Sequence, residues 1–461
     1  MLSRRKGASR RHRASVLVVS MIFILIFSAL AVSMAAMTDA NVQLASNHHN
    51  IKAALASAQS GQEVIRYWLS DLLISSSTPI SQYLSAIITT LQNNLSDTGI
   101  SNITVQNDGS ISTVMLDATE GCCFDGQILI DANDPTILRC RVTGHSNTTS
   151  RTITVEYSIS PYEFPIFNYG LATKGPLNFP GNPRVTAVNS AWEADMFVES
   201  SGNTTAVYVG GNTNFDGEVN IGNTLASVDF VGDVQIAGDS GQTAIDNHVH
   251  IGMDSPEFPT PDTDRFIPYA TGNVINSSTD LSADNILVNC KIAAGTNPVF
   301  PKSVTIQGIL LIESPNKVTF SNNVALEGII VADGDVVNSD PASRSIDIMG
   351  NFSSGPYPSG SEFDGIRQEE GSSIVAPGFY TSFGGNFSTL EGVVAVSGVQ
   401  FTGNMDAQIK GTIINYSNSS TLVEGNVTMN FDRVNSTKIP AGFDLYRELD
   451  YNPSTYSEVS L

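Results

Sequence analysis

Apolar positions along this chain follow three regimes with different periods. Residues 14–38 carry no charged side chain, and the run from Val16 to Val32 is almost unbroken Val, Leu, Ile, Met and Phe. As a helix, these 25 positions reach about 37 Å at 1.5 Å per residue, enough to cross a hydrocarbon core about 30 Å thick. No proline occurs before Pro79, and Leu44, Ile51, Ala58, Ile65 and Leu72 recur every seven residues with Ala54, Gly61 and Trp68 beside them. That amphipathic stripe continues the span and predicts one long helix over 14–74, lipid-embedded at its start and packed on a globular domain at its end.

Between Asn102 and Ser160 the period changes to short runs such as "Q-I-L-I-D" and "R-T-I-T-V-E-Y-S-I" separated by Gly, Asn, Asp and Pro. This predicts an antiparallel meander with the long helix on one face. Pro161, Pro165, Pro176, Pro180 and Pro183 mark a boundary. Beyond it an apolar, a polar, a glycine and a mostly β-branched residue recur: Ile306-Gln307-Gly308-Ile309, Leu326-Glu327-Gly328-Ile329, Leu390-Glu391-Gly392-Val393, Ile409-Lys410-Gly411-Thr412 and Val423-Glu424-Gly425-Asn426. Spacings near 20 residues suit the coils of a parallel β-helix, each turn stacked on the last, with glycine at the corners. A β-sandwich of the same strand density is the competing architecture. Gly411 to Gly425 is only 14, so the repeat is degenerate. The fold class expected is thus α+β: a long N-terminal helix on a small antiparallel sheet, followed by a large all-β parallel β-helix. Its parts are a basic leader (1–13), a transmembrane helix (14–36), an α+β domain (37–160), a β-helix (165–437) and a C-terminal cap (438–461).

Charge fixes orientation and excludes one class of partner. Arg4, Arg5, Lys6, Arg10, Arg11 and Arg13 precede the span, whereas 17 basic residues face 45 acidic ones from residue 14 onward, a net of −28. The basic leader predicts an N-in, C-out single pass, with the acidic remainder exported. A body of that sign repels phosphate backbones, which argues against nucleic acid. A cleaved signal peptide, ending near Ala35 or Ala36, competes with the retained helix, but signal h-regions are shorter than this run.

The basic leader, the span opening "A-S-V-L-V-V-S-M-I-F-I-L" and the segment "A-A-L-A-S-A-Q-S-G" at Ala53 to Gly61 together resemble the N-terminus of PilX-type pilus assembly proteins, minor-pilin relatives. The resemblance covers about 60 residues, and Gln59 stands where that family usually has a glutamate. It implies a structural, non-enzymatic component of a type IV pilus or type II secretion pseudopilus. Other pilin-like subunits would be its partners, through a helix face carrying Leu44, Ile51, Ala58, Ile65 and Leu72. The alternative is a membrane-anchored adhesin or carbohydrate-binding β-helix with an extracellular glycan or surface ligand.

Candidate chemistry is sparse. Of Cys122, Cys123, Cys140 and Cys290, an exported location favours oxidation, and one of Cys122 or Cys123, Cys123 foremost, with Cys140 across the meander is the bridge expected. Asp246, His248 and His250 alternate, so a strand would present all three on one face to a divalent metal, with Asp254, Glu257, Asp262 and Asp264 nearby in sequence. Asn212, Asn214, Asp216 and Gly217 imitate the opening of a calcium loop, though Asn223 stands where the bidentate glutamate belongs. The triplets at Asn147, Asn203 and Asn426 match the glycosylation pattern by composition alone. No nucleophile elbow, P-loop or dinucleotide fingerprint occurs, and Lys and Arg are scarce where a polysaccharide lyase would need them.

Overall fold

The computed structural model describes residues 9–99, 102–202, 205–334, 336, 340–386 and 388–459. The start of the basic leader, residues 1–8, and Asn203 lie outside them. The chain forms two compact units, residues 1–160 with 447–461, and residues 161–446.

The first unit opens with α1 (Ser9–Ser70), 62 residues without a proline, about 93 Å long. The helix is long and apolar enough to cross a membrane, with a mean hydropathy of 2.8 over its most apolar stretch, and every large apolar side chain from Val16 to Leu44 is exposed. From Ala54 onward the helix changes character: Ala54, Ser57, Ala58, Gln62, Ile65 and Leu69 are buried at three- and four-residue intervals. Ile65, Leu69 and Leu72 share one apolar cluster with Phe124, Ile128, Leu138 and Val142 of the sheet, and with Ile87, Ile88, Leu91 and Leu95 of α2 (Tyr83–Asp97). The small residues of Ala53 to Gly61 permit this approach. A Cβ on Gly61 would stand 2.6 Å from the Phe124 ring, and one on Gly144 would stand 2.1 Å from the Ala54 carbonyl oxygen.

The sheet has the order Ile74–Ser75, Tyr446–Val459, Thr149–Pro161, Ile137–Ser146, Cys122–Ile130, Ser110–Asp117, and its last four strands pair antiparallel. The tail therefore does not cap a β-helix. Residues 447–459 re-enter the first unit as a strand beside Thr149–Pro161, running the opposite way, since Ser160 bonds Asp450 while Glu156 bonds Thr455. The whole second unit is an insertion between two neighbouring strands.

Within that unit, two sheets of 14 and 12 strands among the described residues are almost wholly parallel; Val234–Ile236 with Asp239–Ser240 is the antiparallel pair. Antiparallel sandwich pairing is therefore not what the structure has. From Asn285–Ile292 to Val324–Ala332 successive strands alternate between the sheets and pair about 20 residues onward, as in Gln307 with Glu327 and Gly308 with Gly328. One apolar cluster runs from Leu171 to Phe431. Phe300 lies on Phe320 and Phe383 on Phe401, at 5.0 and 5.1 Å between ring centroids, close to the 4.7–4.9 Å strand spacing.

Spatial order departs from chain order. In the 12-stranded sheet the sequence is Val249–Ile251, Val219–Ile221, Met196–Val198, Leu171–Thr173, Ile413–Asn415, Val393–Val396, Ser372–Ala376, Val324–Ala332, Val304–Ile312, Asn285–Ile292, Val274–Ile275. The chain enters in mid-stack, builds to one end, crosses to the other and builds back until Ile413–Asn415 meets Leu171–Thr173. Its entry and exit are tied together, Tyr162 N–H donating to the Tyr446 carbonyl at 3.0 Å. The crossover, residues 252–273, is anchored in order along the way. Gly252 bonds Ile221, Phe258 packs on Phe197 and Tyr416, Phe266 is buried with Ile309 and Ile329, and Gly272 bonds Asn289. Ten strand spacings make about 48 Å, within the roughly 73 Å that 22 residues reach when extended, which leaves room for the 3-10 turn Asp264–Tyr269.

The five glycine motifs fall into two columns. Gly308 pairs with Gly328, and a Cβ on Gly411 would stand 2.2 Å from the Gly392 carbonyl oxygen. Gly425 instead pairs with Gly403 in the other sheet, and a Cβ on Gly181 would stand 2.3 Å from the Gly425 oxygen. The 14-residue interval is thus a change of column. Gly392 and Gly425 have φ of 104° and 95°, conformations that glycine alone adopts freely.

Candidate functional site

The first column forms the floor of a groove. At Gly328, Gly371, Gly392 and Gly411 no side chain projects, and a cavity of about 600 Å³ opens above them. One rim is a charge ladder in register, Glu391 beside Lys410 with Nζ to Oε1 at 2.8 Å. Hydrogen bonding to Glu391 holds the Lys410 ammonium above the ordinary lysine value, against the cost of burial. Asp432 follows, accepting from Gln408 at 3.1 Å and from Asn189 at 3.0 Å. Trp192, 46% exposed, and Tyr357 supply aromatic lining.

Behind Trp192 lies a buried ion network. Glu193 accepts at one oxygen from the backbone N–H groups of Asn189 (2.7 Å) and Ser190 (3.1 Å), and at the other from those of Arg433 (2.6 Å) and Val434 (3.0 Å). Burial alone would raise its pKa; the N–H groups of Asn189, Arg433 and Ser190 and the Asn189 side chain bring it down to about 2. The Arg433 guanidinium donates to the carbonyls of Asn168, Glu193 and Phe167. Burial lowers it to about 10, opposed by Asp195 and Glu193. This network joins the earliest strands of the unit to the latest.

The residues singled out from sequence sit elsewhere. Cys123 pairs with His145, and Cys140 with Ile128. The expected bridge is out of register by five positions, about 17 Å along the strand, against the roughly 7 Å a disulfide tolerates between Cα atoms. Cys140 also points into the core while Cys123 shares the other face with Asp125. All four cysteines are free thiols, and burial pushes Cys140 and Cys290 up.

Asp246 and His248 do not alternate on a strand, because Gly241–His248 is a short helix, α3. Asp246 accepts from Gln242 at 2.8 Å. His248 and His250 instead clasp Glu218: Nδ1 of His248 lies 3.0 Å from Oε1, Nε2 of His250 lies 3.1 Å from Oε2, and Nε2 of His248 lies 3.2 Å from Asp239. Both His248 nitrogens thus face carboxylates, which suits the imidazolium with its two donors. The Glu218 hydrogen bond raises its pKa against the smaller cost of burial. The linked stability is therefore full below the ordinary histidine value of about 6.5 and lost as pH rises through the raised one. We expect the His248 ring protons to titrate above 6.5 by NMR, and amide protection across α3, whose Ala244 is buried, to fall over the same interval. Titration at or below 6.5 would refute this.

The calcium-loop reading also fails. Thr213–Phe215 is a strand paired with Arg184–Ala187 and Val234–Ile236. Asp216 accepts from the Ala187 N–H at 3.0 Å and Asn214 at 3.3 Å, while the Asn212 N–H donates to Asn182. Among the described residues no three His, Cys, Asp or Glu side chains converge as metal ligands. Asn426 lies in an asparagine ladder, donating to Asn404 at 3.1 Å and accepting from Asn182 at 3.3 Å. Asn147 sits at a hairpin turn with φ of 53°. Of the predicted helix face, Ala58 and Ile65 are buried in their own unit and Leu72 lies past the helix end at Ser70, also buried, which leaves Leu44, 57% exposed, as a member free to meet a neighbour, with Ile51 half-buried.

No family model and no curated protein matches this chain. Among solved structures, the competence-associated pilin ComZ from Thermus thermophilus is similar over 89% of this chain and 98% of its own, at 10% identity and a TM-score of 0.21. Likeness at that score carries no weight for function.

Proposed function

We propose that this protein is a non-catalytic structural component of a bacterial envelope, a minor pilin- or pseudopilin-like subunit of a type IV pilus or type II secretion apparatus. Residues 14–36 of α1 hold it in the inner membrane with the leader inside, and the second unit is a parallel β-helix displayed outside. The observation that carries this reading is the division of α1. One continuous helix exposes its whole apolar run from Val16 to Leu44 and then buries a stripe of small and apolar residues against its own sheet. A soluble core helix would not expose the first half, and a disposable leader would not be continuous with the second.

A non-catalytic role is supported by the groove, where three of the four carboxylates are engaged: Glu391 by Lys410, Glu163 by Lys438 and Asp432 by Gln408 and Asn189. The deciding experiment is intact-mass measurement of the native protein with a test for its presence in sheared filaments. A chain that keeps Val16 to Val32 and co-purifies with filaments is expected. A mature N-terminus near Met37 would overturn the anchor, and a retained helix absent from filaments would leave an anchored adhesin.

A further inference from the structure

The groove takes no part in anchoring, and we propose that it binds a neutral saccharide chain laid along the strand stack. Its volume, about 600 Å³, falls within the range of ligand sites. The four floor glycines cover three strand spacings, about 14 Å, so the site is elongated. Three considerations select the ligand class.

First, the groove offers no uncommitted cation. Lys410 is held by Glu391 at 2.8 Å, Lys438 by Glu163 at 3.2 Å, and Arg433 by backbone carbonyls. With a chain charge of −22, a phosphate or carboxylate polymer is repelled. Second, the floor has no open strand edge. Val393 N–H donates to Gly371, Gly392 N–H to Lys410 and Val394 N–H to Thr412, so an extended peptide finds no backbone partners for strand addition. Third, what remains is a set of hydroxyl, amide and carboxylate groups, including Asn435, Thr437 and Glu370, around one large exposed ring, Trp192. Hydroxyl-rich edges and C–H faces of a sugar match such a surface. Arg433 stands 5.5 Å from the Trp192 ring centroid and holds the indole in place, which reduces the entropy lost on binding.

The test is calorimetric titration of the full-length protein in detergent with neutral glucan, xylan, mannan and chitin hexasaccharides, and with an oligogalacturonate as the charged counterpart. At least one neutral chain should bind. Trp192→Ala should weaken it about tenfold or more and Glu370→Gln several-fold, with an unchanged melting temperature for the latter as the fold check. Asn404→Ala, on the second glycine column, should change nothing. The proposal is overturned if no neutral chain binds at millimolar concentration, if oligogalacturonate binds as well, or if both groove variants leave affinity intact. None of these readouts depends on filament incorporation, so this proposal and the pilin-like reading fail separately.

Discussion

Replacing Glu193 by glutamine is expected to destabilise the inserted unit by about 3 kcal/mol at neutral pH and to abolish much of its sensitivity to acid. Four backbone N–H groups converge on this fully buried side chain, two on each oxygen. A carboxylate accepts at both ends; a glutamine must turn its NH₂ toward one pair of donors, leaving them unsatisfied and the amide crowded. The magnitude follows from the depressed pKa: a fall from 4.5 to about 2 converts to about 3 kcal/mol at 1.36 kcal/mol per unit. Because the folded value lies below the unfolded one, the contribution is complete above about pH 4.5 and is withdrawn as pH falls toward 2. Trp192, adjacent in sequence, gives a fluorescence readout of this junction. The difference in stability between wild type and Glu193→Gln should be large at pH 7 and shrink toward zero near pH 2. A constant difference across that range would show that Glu193 acts only by filling space.

The junction matters because of how the stack is assembled, and this is where legibility in the sequence ends. The long helix could be read from 25 uncharged positions and the absence of proline, and its conversion to a buried stripe from spacing alone. Parallel pairing at 20 residues could be read from Gly308 and Gly328. What spacing cannot encode is which strand neighbours which. The contact between Leu171–Thr173 and Ile413–Asn415 joins positions about 240 apart, and it is fixed by Thr173, Asn415 and Thr421, a buried polar trio bonded to one another at 2.9 to 3.2 Å. Each of these residues is unremarkable in isolation.

The tail strand was hidden for another reason. Tyr446–Val459 buries Leu449 and little else, so it shows no alternation, and it carries Pro453, tolerated because only the two-residue strand Ile74–Ser75 flanks its outer side. The histidine alternation misleads because Asp246 and His248 lie in α3 while His250 falls on the strand Val249–Ile251. The groove left no local signal, since its lining runs from Glu163 to Lys438 and converges only after the stack closes.

The second large effect is expected at Gly144, where the smallest available change should be among the most damaging in the first unit. A Cβ there would lie 2.1 Å from the Ala54 oxygen, 2.2 Å from the Ala58 nitrogen and 2.9 Å from the Ala58 Cα, all backbone atoms of α1 that no rotamer change can move. Relief requires the helix to lift from the strand, opening the cluster that holds Ile65 and Leu69, and we expect Gly144→Ala to cost about 3 kcal/mol or more. Two other glycines grade the mechanism. At Gly61 the obstacle is the Phe124 ring at 2.6 Å, a side chain that can yield in part, and at Gly126 the nearest atoms are the Ile111 and Ile65 Cδ1 carbons at 3.2 and 3.3 Å. The loss of stability should therefore fall in the order Gly144, Gly61, Gly126 for alanine at each. With only two tryptophans in the chain, a Trp192→Phe background leaves Trp68, which packs on that same cluster, as the sole indole for denaturant unfolding. If Gly144→Ala unfolds Trp68's surroundings no earlier than Gly126→Ala does, the close backbone approach of α1 to its strand is not what holds this unit together.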